Sequence, residues 1–295
     1  MLKLLGVYKN GNYTVKILND GTKIRETNDD DFIPAFAENC DVKITDRCDG
    51  GCPFCYEGCT PNGKHGDILN YKFLDTLHPY TELAINGNDL THPDLIPFLK
   101  KMKEKKIIIN MTVNQIHFEE YFDIIDALVF DKLIYGLGVS LRKPTVDFVN
   151  KIKTFPNAVI HVINGILSDE DYEALKDNDL KMLILGYKHL RRGVDYYNYF
   201  EDSVQKKMTW LHGNLGDMLN HFKVVSFDNL AIEQLDVKRL LSDEQWDEFY
   251  MGDDGGFTFY IDMVDGTFGK NSLATVRYPI MDSIDEMFQK ILNNN

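Results

Sequence analysis

With 295 residues, 44% of them hydrophobic, the chain can bury a large core, and its length suits one α/β barrel or two small domains. A net charge of −14 argues against nucleic acid or an anionic membrane as partner, because binding either depends on Lys and Arg displacing counterions. No apolar run approaches the ~18 residues of a membrane helix, and residues 1–8 turn polar too soon for a signal peptide, so a cytoplasmic protein is expected.

Residues 1–30 read as short strands joined at Asn10-Gly11-Asn12 and Asn19-Asp20-Gly21, dipeptides that favour positive φ and tight hairpins. They predict an N-terminal β meander over residues 1–40, ending in the acidic link Asn28-Asp29-Asp30-Asp31. Strands are then expected at 42–45, 83–86, 107–113, 134–141, 158–163, 181–185 and 224–227. Helical patterns lie between them at 71–77, 94–104, 118–128, 145–153, 169–175 and 197–219. Several of the strands are nearly uninterrupted apolar runs, as strands buried on both faces of a parallel sheet read. Six βα units are too few to close an eight-stranded barrel. The expected fold is therefore α/β: a partial, open βα barrel over 41–230. A β-rich C-terminal extension, 231–295, would cover it, with a strand signal near 257–263.

Five cysteines stand at 40, 48, 52, 55 and 59. In a reducing compartment, clustered thiols hold metal or do chemistry more often than they form disulfides. The cluster begins just after the first strand of the βα series, as Cys48-Asp49-Gly50-Gly51-Cys52-Pro53-Phe54-Cys55. Gly50 and Gly51 let the backbone curl, and Pro53 stiffens its return. Three thiolates at this spacing can wrap one face of an iron–sulfur cubane and leave a fourth iron open for a substrate or cofactor. A zinc knuckle using Cys59 or His65 is the competing reading, though zinc sites usually come as separated pairs and no second pair follows. Cys52, Cys55 and Cys59 also form the same spacing in reverse. Cys40 and Cys59 read as buried bystanders, with Cys59 the candidate if a hydrogen-atom donor is needed.

The spacing Cys48-x3-Cys52-x2-Cys55, with Phe54 directly before the last cysteine, resembles the signature of the radical S-adenosylmethionine (SAM) superfamily. The resemblance implies a [4Fe–4S] cluster whose open iron binds the amino and carboxylate groups of SAM. One electron from the cluster then cleaves SAM to a 5′-deoxyadenosyl radical, which abstracts a substrate hydrogen. It also implies an external one-electron reductant of flavodoxin or ferredoxin type.

Ligands of such barrels sit at the carboxyl ends of the strands. By the resemblance, Asn86, Gly87 and Asn88 stand where the superfamily meets the SAM amino group, and Asn114, Ser140 and Arg142 where it meets the ribose and carboxylate. Asn164 ends the fifth strand. The backbone at Gly186 would read the adenine, with Phe54 packed opposite. Beyond SAM, Tyr187, Lys188, Arg191, Arg192 and Asp228 are candidates for the substrate site, where the basic residues would meet a carboxylate or phosphate. A solvated loop is the alternative fate of those charges. His161, inside an apolar strand, reads as a satisfied core histidine. The substrate is expected to be a small molecule or peptide. A nucleotide substrate and a non-catalytic metal-binding or electron-transfer module are the alternatives.

Overall fold

The computed structural model describes residues 2–86 and 89–294. Strands β1 (Leu4–Asn10), β2 (Tyr13–Leu18) and β3 (Lys23–Glu26) form the expected antiparallel meander. Tyr13, Val15 and Ile17 alternate inward along β2, the period-two burial of a one-sided sheet. Gly11 turns the first hairpin at φ 58°, and a Cβ there would collide with the Ile33 carbonyl at 1.8 Å.

The main sheet begins with β4 (Asn39–Lys43) and β5 (Glu82–Asn86), then α1 (Leu95–Glu104), β6 (Ile108–Asn114), α2 (Gln115–Glu120) and α3 (Phe122–Phe130). It continues through β7 (Gly136–Ser140), α4 (Val146–Ile152), β8 (Ala158–Ile163), α5 (Asp169–Leu175), β9 (Lys181–Leu185), α6 (Arg192–Met218) and β10 (Val224–Phe227). After α7 (Asn229–Leu235) and α8 (Asp243–Phe249) come β11 (Thr258–Asp262), β12 (Thr267–Gly269), β13 (Tyr278–Pro279) and α9 (Ile284–Leu292).

The resulting mixed α/β sheet has ten strands in the order β10-β9-β8-β7-β6-β5-β4-β11-β12-β13. Strands β10 through β11 are parallel, and β12 and β13 run antiparallel at one edge. Among the described residues nothing pairs β10 with β13, so the sheet is open, compatible with a partial barrel. No helix among the described residues is long and apolar enough to cross a membrane.

Several expectations change. The tail does not merely cover the sheet: β11 pairs in register with β4, Ile261 opposite Val42, so residue 230 is no boundary of the sheet. Residues 71–77 make only a 3₁₀ turn at Lys72–Asp75, because Pro79 soon forces extended chain. The helix expected over 118–128 breaks in two at Tyr121, at φ −109° and ψ 28°. The 197–219 helix starts earlier, at Arg192, and carries a non-helical residue at Phe200.

Not every strand is buried on both faces: β7 and β11 are over most of their length, but others alternate. In β8, Ala158, Ile160 and Val162 are buried, while Val159, His161 and Ile163 are half-buried. His161 shares its face with β6 and β7: a Cβ on Gly138 would meet His161 Nε2 at 2.6 Å and Thr112 Oγ1 at 2.8 Å. It is thus not a satisfied core histidine. Among the described residues its imidazole has no hydrogen-bond partner, and burial pushes its pKa down to about 4, keeping it neutral.

The meander is tied to the main sheet by charge. Glu38 is buried and accepts from the Tyr13 hydroxyl at 2.6 Å, pairs with Arg25 at 2.8 Å and lies 3.2 Å from Lys23, which also reaches Glu82 at 2.7 Å. Burial alone would raise the Glu38 carboxyl, but Lys23 and Arg25 outweigh it and hold the pKa below its ordinary 4.5. A depressed carboxylate stabilises the fold above that ordinary value and stops doing so as the pH falls through the lower folded one. Thermal melts should therefore show the Tm dropping below pH ~4.5, and Glu38→Gln should cost about 3 kcal/mol at neutral pH while flattening that acid limb. Gly138→Ala should cost about 1–3 kcal/mol by overpacking, read as a lower denaturation midpoint.

Candidate metal centre and cofactor cleft

Cys48, Cys52, Cys55 and Cys59 lie on the long connection from β4 to β5, at the carboxyl end of the parallel strands. That connection has little regular structure, and a short ladder closes it. The Asp46 N–H donates to Lys64 O at 2.8 Å, Cys48 N–H to Thr60 O at 2.9 Å, and Thr60 N–H to Asp46 O at 3.0 Å. Gly51, at φ 62°, makes the tight turn between Cys48 and Cys52.

Neighbouring strand ends reach into the loop. Cys52 Sγ accepts from Arg142 Nη1 at 3.1 Å and from Asn114 Nδ2 at 3.3 Å. Arg142 Nη1 also donates to Gly50 O at 3.2 Å. Cys48 Sγ accepts from the Gly50 N–H at 3.4 Å. His117, buried on α2, meets Asp49 through Nε2 at 2.6 Å, and its Nδ1 has no partner among the described residues. Donor atoms of Cys48, Asp49 and His117 lie within 4.8 Å of one another and could hold a metal ion.

The thiols are not equivalent. A hydrogen bond from the Cys59 thiol, helped by Arg192, holds Cys55 well below the ordinary thiol range, and the same bond together with burial raises Cys59. Burial raises Cys48. Cys40 lies within β4, and burial pushes its pKa well up, as expected of a bystander.

Lys43 and Glu57 were not singled out from the sequence. Lys43 Nζ, at the end of β4, lies 2.6 Å from Asp46, 3.0 Å from Asp262 on β11 and 3.8 Å from Glu57. Its charged partners are 3, 14 and 219 positions away in the sequence, so only the first was within reach of a local pattern.

Beside the loop lies a cleft with about 300 Å³ of empty volume, lined by Phe54, Tyr56, Ile163, Leu185, Gly186, Tyr187 and Lys188. It thus brings Phe54 together with Gly186, the pair expected about an adenine ring. Asn164 directly follows this lining. It is buried, donates to Gln234 Oε1 at 3.0 Å and leaves Oδ1 unpartnered among the described residues. Asn86 and Ser140 end β5 and β7. Gly87 and Asn88 lie outside the described residues.

The substrate candidates are largely engaged within the fold. The Tyr187 hydroxyl donates to Gly193 O at 2.7 Å. Asp228 accepts from the Gly186 and Ala231 N–H groups at 2.8 Å each, capping α7 and bracing the cleft wall. The two arginines serve the cysteine loop: Arg192 donates to Cys59 O at 2.9 Å, and Arg191 donates to Glu57 O. Lys188 donates to Ser272 Oγ at 3.1 Å and lies 4.2 Å from the centre of the Tyr56 ring. Carboxylates or phosphates would thus have to displace these contacts.

No protein-family model and no curated protein matches this chain. Among solved structures it is similar to Streptococcus suis SuiB bound to S-adenosylmethionine, with a TM-score of 0.54 at 14% identity over 87% of this chain. It spans 66% of SuiB, just under two thirds, and at this identity the likeness is one of fold. Plasmodium falciparum HPPK-DHPS gives a TM-score of only 0.23 at 11% identity, over 82% of this chain and 52% of that one, and supports no shared fold.

The unequal thiols give a direct check. In metal-free protein at pH ~6, well below the ordinary thiol pKa, iodoacetamide should label Cys55 ahead of Cys48 and Cys59, as followed by mass spectrometry. Arg192→Ala should slow that labelling. Equal rates at the three thiols would contradict the assignment.

Proposed function

We propose that this chain is a radical SAM enzyme acting on a small molecule or peptide, with Cys48, Cys52 and Cys55 holding a [4Fe–4S] cluster. The observation that carries the proposal is the thiol loop itself. It hangs at the carboxyl end of a parallel sheet, in a fold similar to a structure solved with SAM bound.

The donor set fits the group. Thiolates are the ligands iron–sulfur clusters prefer, and hydrogen bonds to their sulfurs are a usual part of such sites. Arg142, Arg191 and Arg192 all bond to the loop in a chain of net charge −14, so cations gather where an anionic cluster would sit. When bound, cluster and SAM supply one-electron cleavage of a carbon–sulfur bond and a radical able to take hydrogen.

The protein's own work is to bind, orient and shield. Phe54, Ile163, Leu185 and Gly186 offer the apolar walls and backbone that suit an adenine. Asn86 and Ser140, with Gly87 and Asn88, are the candidates for the polar parts of SAM. Asn164 Oδ1, unpartnered among the described residues, offers a further acceptor just past the end of β8. Reduction calls for an external one-electron donor of flavodoxin or ferredoxin type.

A second reading rests on the convergence of Cys48, Asp49 and His117, a mixed sulfur, oxygen and nitrogen set suited to zinc. It would make the loop a structural metal site.

Anaerobically reconstituted protein given dithionite and SAM should yield 5′-deoxyadenosine, and Cys48→Ala, Cys52→Ala or Cys55→Ala should abolish it. Protein with full iron and sulfide content that forms none would contradict the enzymatic proposal. Stoichiometric zinc, lost in His117→Ala, would favour the second reading.

A further inference from the structure

Asn114 and Arg142 were expected to contact SAM, yet both side chains are directed at a cysteine sulfur. We propose that they set how readily the cluster accepts its electron, by donating hydrogen bonds to Cys52 Sγ. The inference rests on the cluster assignment above.

The two donors are held in place by contacts within the protein. Asn114 is the N-cap of α2, and its Oδ1 accepts from the Ile116 N–H at 3.1 Å. That bond settles which end of the amide is oxygen. Nδ2 must then face Cys52 Sγ, 3.3 Å away. The next residue, Gln115, is buried and fixes the second donor. Its Oε1 accepts from the Arg142 and Lys143 N–H groups at 2.9 and 3.0 Å, and its Nε2 donates to Lys143 O at 2.7 Å. From that anchored backbone, Arg142 Nη1 bridges Gly50 O and Cys52 Sγ.

The electrical consequence has a definite sign. Reduction passes one electron from an external donor, which is oxidised, to the cluster, which gains a negative charge; no proton need move. N–H donors and a guanidinium beside a ligating sulfur stabilise the added charge and ease reduction. Arg142 is exposed, so solvent screens part of its effect. The half-buried Asn114 is screened less.

Asn114→Asp is the sharpest variant. A carboxylate still caps α2 through one oxygen but presents the other, charged, to the sulfur. Arg142→Ala and Arg142→Lys provide independent variants away from the helix cap. The measurement is the midpoint potential without SAM, from a redox titration followed by electron paramagnetic resonance, with iron and sulfide per chain confirming loading. Asn114→Asp and Arg142→Ala should each cut the reduced-to-oxidised ratio at the wild-type midpoint by about tenfold, a shift of about 59 mV to more negative potential. Arg142→Lys should fall between. Fully loaded variants with wild-type potentials would overturn the inference and leave the cluster standing. If the same variants lose SAM affinity at unchanged potential, the side chains serve SAM and not the sulfur. A wild-type protein that takes up no iron and sulfide would remove the cluster assignment, and this inference with it.

Discussion

A charged lysine side chain with only 1% of its surface exposed is unstable unless carboxylates surround its ammonium group, and Lys43 meets that demand in a way that organises the whole site. Asp46 stands two residues before Cys48, and Glu57 lies between Cys55 and Cys59. Asp262 belongs to β11, the strand that the tail adds beside β4. One buried cation thus pins both limbs of the thiol loop and the C-terminal strand to the same strand end. The burial that would strip charge from Lys43 is more than offset by Asp46, Asp262 and Glu57, so it remains an ammonium. Removing one carboxylate would leave charge unbalanced in the interior, the costly half of any buried ion pair.

Around that pin, the loop is stabilised from outside. Ladder hydrogen bonds close its base, the end of β6 brings Asn114, α2 brings His117, the segment after β7 brings Arg142, and the N-cap and first residue of α6 bring Arg191 and Arg192. The chain is strongly acidic overall, yet the side chains bonded to the thiol loop include three guanidinium groups. Such a field favours an anionic group held by the loop. On the other flank, the cleft between Phe54 and Gly186 offers a mostly apolar wall, so the charged and apolar parts of one cofactor would find different surroundings a short distance apart.

Much of this was legible in the sequence, for local reasons. The meander followed from Asn-Gly and Asp-Gly turns, the parallel strands from short β-branched runs, and the thiol loop from cysteine spacing with two glycines. The start of α5 is equally local, since Ser168, a residue type that favours helix caps, forms a full capping box with Asp171. What escaped depended on partners distant in the chain. Nothing local tells that Thr258–Asp262 pairs with Asn39–Lys43, because register between strands more than 200 residues apart is set by the assembled core. The same holds for Lys43 with Asp262. Asp228 resembled a substrate ligand because it ends a strand, but the N–H groups of Gly186 and Ala231 claim its carboxylate. His161 looked like core because its neighbours are apolar. The absence of a side chain on Gly138 is what gives its ring room on the open face.

The central claim, that Cys48, Cys52 and Cys55 hold a cluster with one iron free for SAM, is tested most directly by electron paramagnetic resonance of the reduced, reconstituted protein with and without SAM. The account predicts a [4Fe–4S] signal that changes when SAM is added, since three cysteine ligands leave one iron open to it. A cluster signal indifferent to SAM, or a colourless protein carrying zinc, would contradict it.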